Sequence, residues 1–118
     1  MAFAFESLVV YNRALNFSVS VITRIDAIKT PRKHYRLIEQ LEAACTSIAL
    51  NIAEGKGRFS KKEFRHILYI ARGSLYETVT MLQIFQKLQW LNNSSYQELY
   101  SEAEQIGKML SILAKSLK

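Results

Sequence analysis

The chain has 118 residues, of which 49% are hydrophobic and 22% are charged, and this composition is unlike that of disordered or fibrous proteins. The length predicts a single domain, residues 1–118, with a moderate hydrophobic core. The formal net charge of +6 favours encounters with polyanions, although a surplus of this size is also common in proteins that bind no nucleic acid.

Four segments with apolar residues at steps of three and four predict an all-α fold, in line with the scarcity of Pro and Gly. The first helix is predicted over residues 5–29 and ends at Thr30-Pro31, since the residue before proline is driven out of the α conformation. The second is predicted over residues 31–54 and ends at Gly55-Lys56-Gly57, where glycine can form a left-handed C-cap.

The third helix is predicted over residues 61–91, with Ser60 and Glu63 as a capping box, and the fourth follows a turn at residues 92–95 and ends at Leu117. The third helix carries two apolar seams, which are Phe64, Leu68, Ala71, Leu75, Thr78, Leu82 and Phe85, and beside them Ile67, Ile70, Ser74, Glu77, Met81, Ile84, Leu88 and Leu91. Short connections predict an up-down-up-down four-helix bundle. The surplus apolar width of the first and third helices predicts a subunit of a closed oligomer, a dimer or a ring.

The single cysteine and the start of the chain predict a cytoplasmic protein. Cys45 has no partner for an internal disulfide, which is typical of a reduced compartment. The opening MAFAFESLVVYNR lacks a basic n-region and reaches Glu6 early, so it does not resemble a secretory signal. No apolar run approaches the roughly 18 to 20 residues of a membrane span, and no membrane contact is predicted.

Cations and aromatic rings alternate along the third helix, on a line away from both seams: Lys62, Arg65, Tyr69, Arg72 and Tyr76. The preceding loop adds Lys56, Arg58 and Lys61. Cations at helical spacing can hold phosphates while rings stack on bases, so this stripe predicts a surface for RNA or DNA. The alternative is an ordinary solvated face whose tyrosine rings lie over their neighbours.

Polar residues near the predicted hairpin form a second group. Its members are Asn51, Glu54 and Arg58 near the hairpin, and Arg72, Ser74 and Glu77 on the facing helix. Charged groups this close to a core are tolerated when they are paired and hydrogen-bonded. The group, with Asn51, Glu54, Arg72, Ser74 and Glu77 at its centre, therefore predicts a structural network that clamps the hairpin, in preference to a catalytic acid-base pair.

The sequence offers little for metal binding or catalysis. Glu63 and His66 form one Glu-x-x-His, whereas a di-iron bundle needs two such motifs and two further inward glutamates. His34 has no glutamate three residues before it, and Cys45 lies among alanines with no histidine nearby in sequence. The segment GKGR lacks the spacing of a phosphate-binding loop. A non-enzymatic protein without metal or cofactor is predicted.

The centre of the chain resembles a known family. The run Asn51-Ile52-Ala53-Glu54-Gly55, followed by Arg58, Phe64, Leu68, Ala71-Arg72-Gly73-Ser74 and Glu77, resembles the bacterial four-helix bundle proteins of the 23S rRNA intervening-sequence family. The resemblance covers nearly the whole chain, and Leu50 stands where that family often shows alanine. The family includes open reading frames within insertions in large-subunit ribosomal RNA genes.

The family is also similar to accessory proteins of diversity-generating retroelements, which look like basic, barrel-shaped homopentamers that bind a reverse transcriptase and nucleic acid. This likeness implies a five-fold ring of bundles with a positively charged surface. The functional residues that it implies are Arg58, Lys61, Lys62, Arg65 and Arg72.

Two functions therefore follow as hypotheses. The first is an oligomeric protein that binds RNA or DNA backbone through the basic hairpin face, with Lys56, Arg58, Lys61, Lys62, Arg65, Tyr69 and Arg72 as binding residues. The second is an interaction scaffold whose basic face meets a polymerase or another partner without touching nucleic acid. A small enzyme is the weakest hypothesis, and a titratable carboxylate in a water-accessible cleft would be needed to support it.

Overall fold

The computed structural model describes residues 2–28 and 34–118, and it consists of helices joined by short turns. A 3₁₀ helix at Ala4–Ser7 precedes four α-helices, which are α1 (Val9–Asp26), α2 (Tyr35–Lys56), α3 (Lys61–Lys87) and α4 (Asn93–Ser116). No described residue lies in a β-strand. The predicted all-α fold is confirmed.

The helices form an up-down-up-down bundle. Within the described ranges, α1 packs against α2 and α4, α3 packs against the same two helices, and no Cα atoms of the two diagonal pairs lie within 8 Å of each other. The bundle measures 45 × 24 × 23 Å, which matches the roughly 40 Å expected for the 27 residues of α3 at a rise of about 1.5 Å per residue. Each helix therefore has two neighbours and leaves its remaining surface outward.

The core is built around the first predicted seam of α3. The first seam of α3 is buried along its whole length, and α2 and α4 contribute Leu41, Ile48, Ile52, Leu99, Ile106 and Leu110. Two buried hydroxyl groups in this core are hydrogen-bonded: Thr78 donates to the carbonyl of Ser74 at 2.8 Å, and Ser18 donates to that of Cys45 at 2.8 Å. Because Ser18 belongs to α1 and Cys45 to α2, the second bond also links two helices.

The second seam of α3 is only partly buried. Ile67 and Met81 pack inside, whereas the side chains of Ile70, Ile84 and Leu88 remain 45%, 40% and 49% exposed. The single bundle therefore covers one seam of α3 completely and leaves part of the second on the surface.

The connection between α2 and α3 differs from its prediction. Gly57 does not take a left-handed conformation, since its φ is −81°, and α2 continues through Lys56. Gly55 is buried, and a Cβ atom placed on it would lie 2.9 Å from Cδ1 of Phe64. Glycine is therefore required here for close packing of α2 against α3, and not for the conformation of a cap. On the other side of the turn, Ser60 accepts the N–H of Glu63 at 3.1 Å, as its capping role predicts.

Two other helix ends also differ from their predictions. The first helix is interrupted at Leu8, which is extended, and the side chain of Asn12 spans the break by donating to the carbonyls of Glu6 and Leu8. The third helix ends at Lys87 because Gln89 takes a left-handed φ of 63° and the N–H of Trp90 donates to the carbonyl of Phe85. The predicted break at Thr30-Pro31 lies outside the described residues.

Candidate nucleic-acid interface

The α2–α3 turn places its cations at the start of α3. Ser60 caps the helix and Phe64 packs on Gly55, so the first turn of α3 is anchored to the end of α2. Lys56 lies with its Nζ 5.9 Å from the centroid of the Phe64 ring. Lys61 and Lys62 are exposed and take part in none of the ion pairs of the described residues.

Arg58 is the cation of this turn that acidic neighbours neutralise. Its guanidinium group pairs with Glu54 one turn earlier in α2 and lies 3.9 Å from a carboxylate oxygen of Glu63. Both pairs are exposed, so they add little to stability, but they lower the positive potential of this side chain. Arg58 is therefore the weakest of the predicted binding residues.

Arg72 lies at the boundary between α3 and α4. Its NH1 donates to Oγ of Ser111 at 3.2 Å, and its guanidinium carbon lies 4.7 Å from the ring centroid of Tyr69 and 5.7 Å from that of Tyr76. Tyr69 and Tyr76 stand one turn to either side of Arg72, so the guanidinium group is held by two rings and a hydroxyl. The predicted stripe therefore has a fixed cation at its centre.

Arg65 connects the same side of α3 to the end of α4. Its NH1 donates to the carbonyl of Leu117 at 2.6 Å, and the side chain is half-buried. This hydrogen bond satisfies one of the carbonyls that a helix leaves unpaired at its C-terminal end. Since no acidic side chain takes part, Arg65 keeps its positive charge at the surface.

The contacts of Arg65 and Arg72 bring α4 beside the stripe, which sequence reasoning did not anticipate. Ser111 is the partner of Arg72, and Lys108 and Lys115 stand three residues before it and four after it, on the same side of α4. The sequence does not show that residue 65 lies beside residue 117, or residue 72 beside residue 111, because these contacts depend on the antiparallel register of α3 and α4. We define the basic face as Lys61, Lys62, Arg65, Arg72, Lys108 and Lys115.

Most acidic residues of α3 and α4 are directed away from the basic face. Glu77 faces Gln40 of α2, and Glu63 lies by Arg58 at the α2–α3 turn. Glu98 and Glu102 pair with Arg24 and Arg13 of α1. The hydrogen bonds that Arg13 donates to Glu102, followed by the negative charge of Glu102, raise the pKa of Arg13. Two acidic residues of these helices border the basic face: Glu104 lines a groove with Lys108, and Glu63 lines a cleft with Lys62. The six cations of the basic face therefore outnumber the acidic residues that border it.

An apolar groove of about 670 Å³ lies on the surface between α3 and α4, next to the basic face. Its lining includes Leu75, Val79 and Ile112, and Lys108 stands at its edge. Gly107 keeps the groove close to the core, because a Cβ atom there would lie 3.3 Å from Leu75 Cδ2. The groove places apolar surface directly beside cations.

The five residues predicted to clamp the hairpin are not joined in one network. Asn51 donates to the carbonyl of Ser47 in its own helix, and Glu54 pairs with Arg58. Arg72 faces α4, while Glu77 meets Gln40 at 3.4 Å. The carbonyl of Ser74 accepts a hydrogen bond from Thr78. The prediction of a single network is wrong, because Arg72 lies on the side of α3 that faces α4, whereas Glu77 faces α2.

Other chemistry receives little support from the described residues. Residues 2–28 and 34–118 hold no group of three or more His, Cys, Asp and Glu side chains that could bind a metal ion. Glu63 and His66 line a surface cleft beside Asn51, without a further histidine. None of the helices in these two ranges combines the length and apolar character needed to cross a membrane.

Cys45 is buried between α1 and α2, and its thiol is poorly suited to react. Burial, with a smaller contribution from the charge of Glu42, raises the pKa of Cys45 to about 11, from an ordinary value of 9.0. The folded protein therefore holds this proton more tightly than the unfolded chain. The corresponding stability is complete below about pH 9 and is lost as the pH rises toward 11.

Cys45→Ala is expected to remove this part of the pH dependence. Between about pH 8 and pH 11, the wild-type free energy of unfolding should fall by about 2 kcal/mol more than that of the variant. Urea titrations of both proteins at several pH values measure the difference, because the two proteins differ only at residue 45. Parallel pH profiles would show that the thiol does not carry the effect.

Comparison with known proteins places this geometry in a family. The family model described as the 23S rRNA-intervening sequence protein matches residues 6–112. The chain belongs to this family. The predicted membership is confirmed, while the likeness to retroelement accessory proteins remains a prediction.

A solved structure of a similar protein supports the four-helix fold. It is the crystal structure of a protein with unknown function from the S23 ribosomal protein family of Bacteroides thetaiotaomicron VPI-5482. It is similar to the chain with a TM-score of 0.81 and 25% sequence identity, over 89% of this chain and 98% of that one. No curated protein matches the sequence. Neither the family description nor that of the solved structure names a reaction.

Proposed function

We propose that the protein is a non-enzymatic, homo-oligomeric helical bundle that binds the phosphate backbone of RNA or DNA through its basic face. The observation that carries this proposal is the separation of charge on α3 and α4. Six cations stand on the basic face, and the acidic residues of the two helices pair with α1, α2 or the turn, except for Glu104.

The positions of the arginines suit phosphate binding. Arg72 is held by two rings and Ser111, so little side-chain entropy is lost when its remaining donors meet a phosphate. Lys61 and Lys62 add mobile charges one turn from Arg65, which extends the positive surface along α3. A polyanion lying along α3 would meet several cations in succession and release counterions from each contact.

RNA is the first polyanion to test. The family takes its name from an intervening sequence of 23S rRNA, and the solved relative is assigned to a ribosomal protein family. Both descriptions refer to those proteins, and they favour RNA over DNA as the ligand of this one.

Filter binding to a structured RNA between about 50 and 200 mM salt tests the proposal. Arg65→Glu and Arg72→Glu are each expected to weaken binding about tenfold and to lower the salt slope by about one. Arg36→Glu is the control, since Arg36 is exposed at the start of α2, away from the basic face. Circular dichroism of each variant checks that the helices are retained.

The proposal would be contradicted if the wild type did not bind near 50 mM salt, or if the variant that combines Arg65→Glu with Arg72→Glu bound as tightly as the wild type. Capture of one protein partner after nuclease treatment, with no RNA binding, would instead support the scaffold alternative. That result would assign the same basic face to an acidic protein surface.

The oligomeric part of the proposal is supported by the outward face of α3. Gly73 lies in mid-helix, and nothing stands within 4 Å of a Cβ atom placed on it, so glycine has no packing role within the subunit. Glycine in a helix interior costs about 1 kcal/mol relative to alanine. Ile70 and Ile84 are exposed on the same helix, which suits a second copy packing closely over Gly73.

Light scattering on the purified protein measures the mass directly. A closed ring of five subunits is expected, and a mass of 13.6 kDa at all concentrations would contradict any oligomer. Gly73→Leu is expected to lower the mass, because the larger side chain would separate the two copies. A matched Ser101→Leu variant on an exposed part of α4 should leave the mass unchanged.

A further inference from the structure

One aromatic side chain of the basic region is left without any partner. Phe59, at the tip of the α2–α3 turn, is 101% exposed, as open to solvent as in an extended chain. Its ring contacts no other aromatic ring and no cation among the described residues. Tyr69 and Tyr76 differ, because both lie against Arg72.

The backbone around Phe59 is held on both sides. The N–H groups of Gly57 and Arg58 donate to the carbonyls of Glu54 and Gly55, each at 3.1 Å. On the other side, Ser60 caps α3 and its carbonyl accepts the N–H of Phe64. The turn therefore presents the Phe59 ring outward on an anchored backbone, instead of folding it onto the bundle.

The surroundings of Phe59 favour a polyanion over an apolar protein surface. Lys56 precedes the ring, and Lys61 and Lys62 follow it, so cations outside the Arg58 ion pairs stand on both sides of one aromatic tip. A base can stack on a phenyl ring only when the base is unpaired and splayed out, while its phosphates meet neighbouring cations. In a duplex the base faces are already stacked and are closed to the ring.

We propose that Phe59 stacks on an unpaired nucleobase, so that the protein selects single-stranded or looped segments of the nucleic acid over continuous duplex. This inference rests on the proposed function and adds the class of substrate. The basic face would supply affinity for any phosphate backbone, and the Phe59 tip would supply the preference for exposed bases.

Fluorescence anisotropy of the full chain with two labelled probes tests this inference. The probes are a single-stranded oligoribonucleotide and the duplex of the same sequence. Phe59→Ala is expected to weaken single-strand binding at least about fivefold and to leave duplex binding unchanged. Phe59→Leu, which keeps an apolar side chain without a π face, should behave like alanine, and Phe59→Trp should retain or strengthen binding.

Tyr35→Ala is the matched control, since Tyr35 is an exposed aromatic residue at the start of α2, the end of that helix away from the turn. It should change neither affinity. Phe59 makes no contact in the core, so circular dichroism should be the same for all the Phe59 variants.

Equal single-strand affinity of wild type and Phe59→Ala, with binding still lost in the Arg65→Glu and Arg72→Glu double variant, would overturn the inference and leave the proposed function in place. Failure of the wild type to bind either probe would overturn both. A lower oligomer mass for Phe59→Ala with unchanged affinity would assign the ring to a contact between subunits and would also overturn the inference.

Discussion

Lys108→Glu combined with Lys115→Glu is expected to weaken RNA binding about 100-fold in moderate salt, although neither residue belongs to the cationic stripe of α3. Both lysines flank Ser111, the partner of Arg72, so reversing them places two negative charges beside the central guanidinium group. Each reversal removes one phosphate contact and adds repulsion, and one charge-assisted contact is worth about tenfold in affinity. Anisotropy titrations with the structured RNA at two salt concentrations measure the loss.

Glu104→Gln is the companion variant, and it should act in the opposite direction. Glu104 lines the same groove as Lys108, and removing its charge should strengthen binding a few-fold and increase the salt dependence. If both α4 variants bind like the wild type, then α4 takes no part in the interface, and the binding surface is confined to α3 and its turn.

Leu41→Ala is expected to destabilise the bundle by about 2 to 5 kcal/mol. Leu41 lies in α2 and is completely buried, so truncation removes apolar contacts and leaves a cavity that the packed helices cannot close. Urea unfolding followed by circular dichroism gives the change in free energy. For a domain of this size the loss would be a large part of the total stability.

Leu50→Ala in the same helix is the matched control. Leu50 is 67% exposed, so the same substitution should cost less than about 1 kcal/mol. A cost at Leu50 equal to that at Leu41 would mean that the outer face of α2 is covered in the assembled protein.

Most of the fold could be predicted from the sequence, because helix formation depends on residues that are close together in the chain. The seam from Phe64 to Phe85 on α3 repeats at the period of a helix, and every member is buried. The cap at Ser60 could also be predicted, since capping depends on the side chain next to the helix start. The predicted end of the third helix was less accurate, because Gln89 takes a left-handed conformation that is more typical of glycine.

The candidate site could be predicted only in part. The stripe on α3 could be predicted because its members share one helix. The pairing of Arg58 with Glu54 and Glu63 could not, since it depends on how the chain turns. The predicted clamp failed for the same reason. Arg72 lies on the α4 side of α3, and helical periodicity alone does not say which neighbour occupies which side.

The sequence by itself determined four helices, their buried seams and an excess of positive charge, because these properties depend on residues a few positions apart or on composition. Only the tertiary structure decided where that charge collects. The antiparallel register of α3 and α4 brings Arg72 to Ser111 and Arg65 to Leu117. On the other sides of these two helices, glutamates contact polar side chains of α1 and α2. Electrostatic potential adds over space and not along the chain, so the basic face exists only once the helices are packed.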